Sequence, residues 1–66
     1  MSNLLSVIKL LKRFGIYVYT GNRKYDIELM MSEVKDLYDN GLLMQEDYLK
    51  AILILRSESS NMNLNE

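Results

Sequence analysis

Gly15, Gly21 and Gly41 divide this 66-residue chain into stretches whose apolar residues recur at helical spacing. In the first stretch Leu4, Val7, Ile8, Leu11 and Phe14 share one face of a helix, with Leu10 at its margin. Lys9, Lys12 and Arg13 fall roughly opposite. Ser2 or Asn3 supplies a side-chain acceptor for a free backbone N–H at the start. Gly15 stops the helix by adopting the left-handed conformation that other residues avoid. Lys12 and Arg13 stand in the last turn, where the helix dipole favours positive charge.

Ile16–Tyr19 is apolar and β-branched or aromatic throughout, yet no other segment offers it a strand partner. An isolated strand leaves its backbone groups unpaired. The stretch therefore reads as an extended connector, with Ile16 and Val18 plugging the bundle and Tyr17 and Tyr19 facing outward. Thr20-Gly21-Asn22 is a turn, and Asn22 caps a second helix that Gly41 ends. The buried stripe of that helix is Ile27, Met30, Met31, Val34, Leu37 and Tyr38; Leu29 lies on the other side, among Tyr25, Glu33 and Asp36. Leu42 and Leu43 close the next turn. In the third helix Tyr48, Ala51, Ile52 and Leu55 form one stripe, Leu49 and Leu53 a second, and Ile54 lies away from both. A helix apolar on most sides is central to a bundle or part of an interface.

These patterns predict an all-α, compact three-helix bundle over residues 1–56, with helices near 3–14, 22–40 and 45–56. Its expected core is Val7, Leu11, Phe14, Ile27, Met31, Val34, Leu37, Ile52 and Leu55. Residues 57–66, rich in Ser and Asn, compete with helical hydrogen bonding and are expected to fray into a disordered tail. A domain this small buries only about 60% of its unfolded surface, which leaves no room for an enclosed substrate cavity.

Residue types narrow the chemistry further. The chain has no cysteine and no histidine, so disulfides, thiolate ligands and the usual neutral-pH general base are absent. Glu33 with Asp36, and Asp36 with Asp39, are spaced to approach on a helix, but they lack a cleft and further ligands. They read as a solvated face. Ser6, Ser32 and Thr20 have no histidine to activate them, and Thr20 reads as a turn or capping residue. Gly21 alone is no phosphate loop, and the methionines read as core filling or as turn and terminal residues. The chain is expected to be non-enzymatic, with no metal, cofactor or small-molecule substrate. Positive charge follows rather than precedes the first apolar run, unlike a secretory signal. The longest apolar stretch, Ala51–Leu55, is far short of the roughly 20 residues that span a bilayer. A cytosolic protein without membrane contact is the expectation.

Charge is unevenly placed. Residues 1–25 carry five bases and no acid, while residues 26–66 carry three bases against nine acids. Lys9, Lys12, Arg13, Arg23 and Lys24 are interleaved with Tyr17, Tyr19 and Tyr25, a mixture suited to neutralising phosphates and stacking bases. These eight residues are the candidate site for single-stranded RNA or DNA. Structural roles compete with that reading: the bases solvate the first helix, Arg23 pairs with Asp26, and Tyr25 packs on the connector. The exposed helical surfaces are otherwise acidic, which disfavours reading of duplex DNA. The second candidate is a protein-interaction or self-associating surface on helices two and three, using Leu29, Leu53 and Ile54, which are expected to be unusually exposed.

Tyr19-Thr20-Gly21-Asn22-Arg23 followed by Asp26-Ile27-Glu28-Leu29-Met30 resembles the YqgQ-like family of small cytosolic proteins from Gram-positive bacteria. Phe14-Gly15, Leu37-Tyr38, Gly41-Leu42 and Ile54-Leu55-Arg56 fit the same pattern in order. The resemblance covers roughly Leu10–Arg56. It implies a three-helix bundle and a role in binding single-stranded nucleic acid, and it brings no catalytic residues. Asn22 stands where Asp is more usual, and Met44 where a hydroxyl cap is expected. The Ser/Asn-rich tail replaces a longer charged helix, removing basic contacts.

Overall fold

The computed structural model describes the backbone of residues 3–64 and the side chains of residues 3–61. Three helices follow in order: α1 (Leu4–Lys12), α2 (Arg23–Asp39) and α3 (Gln45–Leu64). No strand occurs among the described residues, and Ile16–Tyr19 is an extended connector. α3 packs against both α2 and α1, whereas α1 and α2 contact each other only slightly. That central position of α3 accounts for Tyr48, Ala51, Ile54 and Leu55, but not for Leu49 and Leu53, which are exposed. Its Tyr48 stacks on Tyr38 of α2 at 4.2 Å between ring centroids, while Ala51 and Ile54 meet α1 across a groove.

The helix ends follow from local chemistry. The Asn3 side chain accepts from the Ser6 amide at 3.2 Å, and the Ser6 hydroxyl donates back to the Asn3 carbonyl at 2.6 Å. Asn22 does the same for α2, accepting from the Tyr25 amide at 3.0 Å. After α1, the Gly15 amide donates to the Lys12 carbonyl and the Ile16 amide to Leu11; after α2, Gly41 donates to Tyr38 and Leu42 to Leu37. This paired pattern satisfies terminal carbonyls and needs a positive φ at its glycine. Gly15 and Gly41 both have φ 75°.

The core comprises Val7, Leu11, Ile27, Met30, Val34, Leu37, Leu43, Ala51 and Leu55. Full burial of side chains such as Val34 and Leu55 contributes about 1.5–3 kcal/mol each. Ile16 and Val18 pack against this cluster as partly buried side chains. Three expected core positions differ. Phe14 is 37% exposed, because the chain has already left the helical path at Gly15. Met31 and Ile52 are half-buried, while their neighbours Met30 and Ala51 are buried. Each fully buried stripe is thus narrower than the sequence pattern suggests, with Met31 and Ile52 at its margin.

The end of α3 differs more. The helix continues through Ser57–Ser60 instead of ending at Arg56. Continuing an existing helix adds a hydrogen bond per residue without a new nucleus. The small penalties of Ser and Asn do not overcome that gain beside the fully buried Leu55. Glu58 on this extension pairs with Arg23 at 3.5 Å. The expected tail disorder at Asn65 and Glu66 lies outside the described residues. No described helix is long and apolar enough to cross a membrane.

Candidate nucleic-acid interface

The turn before α2 is held by one buried carboxylate. Asp26 is 8% exposed, and its Oδ1 accepts from the Thr20 amide at 2.8 Å and the Thr20 hydroxyl at 2.7 Å. The hydroxyl oxygen in turn accepts from the Asn22 amide at 3.2 Å. Gly21 makes the bend possible with φ 88°. Thr20, Gly21, Asn22 and Asp26 thus form one cooperating unit, which explains their spacing. Asp26 turns toward Thr20 and the expected Arg23–Asp26 pairing is not formed; Arg23 reaches Glu58 instead.

This turn and the partly buried Ile16 and Val18 anchor the connector. Between them Tyr17 is 74% and Tyr19 88% exposed, in agreement with the alternation read from the sequence. Tyr25 is also exposed and does not pack on the connector as a buried side chain.

The basic residues do not form a single patch. Lys9 and Arg13 line a groove of about 280 Å³ between α1 and α3. Tyr19 and Arg23 line another of about 270 Å³, bounded by α1, the turn and α2. Lys12, Lys24, Tyr17 and Tyr25 are exposed outside both grooves. Lys9, Lys12, Arg13 and Lys24 make no ion pair among the described residues. Lys35 differs: its hydrogen bond and charge interaction with Asp39, at 2.7 Å, raise it above the ordinary lysine range.

Electrostatic context separates the bases further. Lys9 and Lys12 occupy the last turn of α1, which the helix dipole favours. Arg23 and Lys24 open α2, where the same dipole disfavours cations by about 0.3–1 kcal/mol each. Helix stability therefore accounts for the first pair but not the second.

The α1–α3 groove also contains Lys50 and Asp47, both overlooked in the sequence reading. The available signal was Ile54. Its place outside the α3 stripes marks the side facing α1, where it is half-buried and lines this groove. Ile54 is thus less exposed than expected. Leu53 is 65% and Leu29 41% exposed, and Leu49, one turn before Leu53, is 49% exposed. No group of three or more metal-ligating residues converges among the described residues.

A family model described as YqgQ-like matches residues 1–61, and the chain belongs to this family. It is 41% identical over 58 residues to an uncharacterized protein, YqgQ, of Bacillus subtilis (strain 168), covering 88% of this chain and 82% of that relative.

Proposed function

We propose that this chain is a non-enzymatic cytosolic protein that binds single-stranded RNA or DNA, weakly and with broad sequence tolerance. The observation supporting this most strongly is the connector: two tyrosines exposed at 74% and 88% on an anchored backbone. Rings held outward without being free to collapse offer stacking surfaces, worth about 1–3 kcal/mol per engaged base. Tyr25 adds a third on α2. Lys9, Lys12, Arg13, Arg23 and Lys24 surround these rings in the sequence and neutralise phosphates on either side of α1. The acidic remainder of the surface keeps affinity modest. A second reading rests on Leu49 and Leu53, two exposed leucines one turn apart, with Leu29 on α2. Such a surface suits a protein partner or a second copy.

Fluorescence binding to single-stranded oligomers across a salt series separates these readings. Affinity should fall with salt at a slope of about −0.7 per phosphate contact. A folded Lys12→Ala, Arg13→Ala, Arg23→Ala triple variant should bind at least tenfold more weakly at low salt. Equal binding by the two proteins would end the claim for this basic cluster. A wild type that binds no oligomer but grows in sedimentation coefficient with concentration would favour self-association.

A further inference from the structure

We propose that the α1–α3 groove receives one base of the bound strand, with Lys50 as a further phosphate contact and Asp47 selecting cytosine over uracil. This deepens, and rests on, the strand-binding reading above. The groove has an apolar floor including Leu10, Ala51 and Ile54, and cations from two helices: Lys9 and Arg13 on α1, Lys50 on α3. Asp47 is its single acid. Three cations against one acid suit an anionic chain. A volume of about 280 Å³ suits a flat ring, whereas a partner helix is about 10–12 Å across. Apolar side chains cover the faces of an unstacked base much as aromatic ones do.

Lys50 pairs with Glu46 at 3.5 Å, with both side chains mostly exposed. Such a pair is weakly held, so a phosphate can replace the carboxylate. Arg13 lies four residues before Tyr17, so the connector places the first ring within roughly 14 Å of chain.

Asp47 then becomes a discriminator. An ionised carboxylate only accepts hydrogen bonds. Cytosine presents its N4 amine as donor to such a group, whereas uracil presents an oxygen there and keeps a donor only at N3–H; selection therefore requires that the base meet Asp47 through its 4-position. The two pyrimidines have the same single-ring size, so their comparison tests the exchange of donor and acceptor on that edge.

The test uses the full chain with oligocytidine and oligouridine of equal length, at neutral pH and fixed low salt. The wild type should favour oligocytidine by about fivefold or more. Asp47→Asn, whose amide both donates and accepts, should bring the ratio close to one; Asp47→Glu should restore it. Lys50→Ala should weaken both oligomers severalfold and reduce the salt slope by about 0.7. Both positions are exposed, and unchanged helical circular dichroism checks the fold. Equal wild-type affinity for the two oligomers, or a ratio unaltered in Asp47→Asn, overturns the groove assignment while general strand binding stands. Absence of binding to either oligomer overturns both. An acidic peptide that binds more tightly than either oligomer, and loses affinity in Lys50→Ala, assigns the groove to a protein partner and also overturns it.

Discussion

The two junctions of this bundle start identically and then diverge. Gly15 and Gly41 share φ 75° and the same pair of hydrogen bonds back to the preceding helix. From Gly41 the chain needs only Leu42–Met44 before α3, and it buries Leu43 in the core. From Gly15 it runs on through Asn22, burying Ile16 and Val18 only in part and exposing both tyrosines. Between the helix ends the short junction has five residues, 40–44, within the usual range of about two to eight, whereas the long one has ten, 13–22, and exceeds it. The short junction shows how little chain a reversal requires here. The additional residues of the long one create a surface, and polar chemistry centred on Asp26 holds it.

If the short junction is anchored by apolar burial, Leu43→Ala should be the most damaging of the changes considered for this contrast. Leu43 is 7% exposed, and truncating a buried leucine costs about 2–5 kcal/mol. Urea denaturation measures the loss as a shift in midpoint. A cost below about 1 kcal/mol, the upper range for surface substitutions being smaller still, would mean that Gly41 alone organises the turn.

The long junction should respond instead to loss of a polar group. Asp26→Ala removes the acceptor shared by the Thr20 amide and hydroxyl, and should cost about 1.5–3 kcal/mol, as hydrogen bonds to charged groups do. Asp26→Asn keeps an acceptor oxygen and should cost less. Amide hydrogen exchange gives the local readout: protection at Thr20 should fall first in Asp26→Ala. Unchanged exchange there would show that the turn holds without its carboxylate.

Much of this contrast was legible in the sequence because helix stops and alternation are local. Gly15 and Gly41 mark the two ends, and the alternation of Ile16, Tyr17, Val18 and Tyr19 separates inward from outward side chains without knowledge of the rest. What escaped depends on contacts between segments distant in sequence. Arg23 has Asp26 nearby along α2, yet pairs with Glu58 because α3 extends beyond Arg56. The five N-terminal bases read as one cluster along the chain, but α1 separates grooves on its two flanks. Lys50 was lost among the acids of the second half, and only the packing of α3 against α1 brings it beside Lys9 and Arg13. Wheel positions tell which face a residue occupies, not which helix that face will meet.

The smallest expected stability change carries the largest consequence for the comparison. Tyr17→Ala combined with Tyr19→Ala removes two rings that are mostly solvent-exposed. Substitutions away from buried contacts usually alter stability by no more than about 0.5 kcal/mol each. Ile16, Val18 and the Thr20–Asp26 hydrogen bonds remain, so the connector should keep its path. If the tyrosines are there for stacking, the same double variant should bind single strands at least tenfold more weakly while its salt slope stays close to that of the wild type. The slope reports phosphates, and the bases that meet them are untouched. A large loss of stability would instead make the rings part of the fold. Unchanged stability together with unchanged binding would remove the connector from the interface and leave its extra length without a functional explanation.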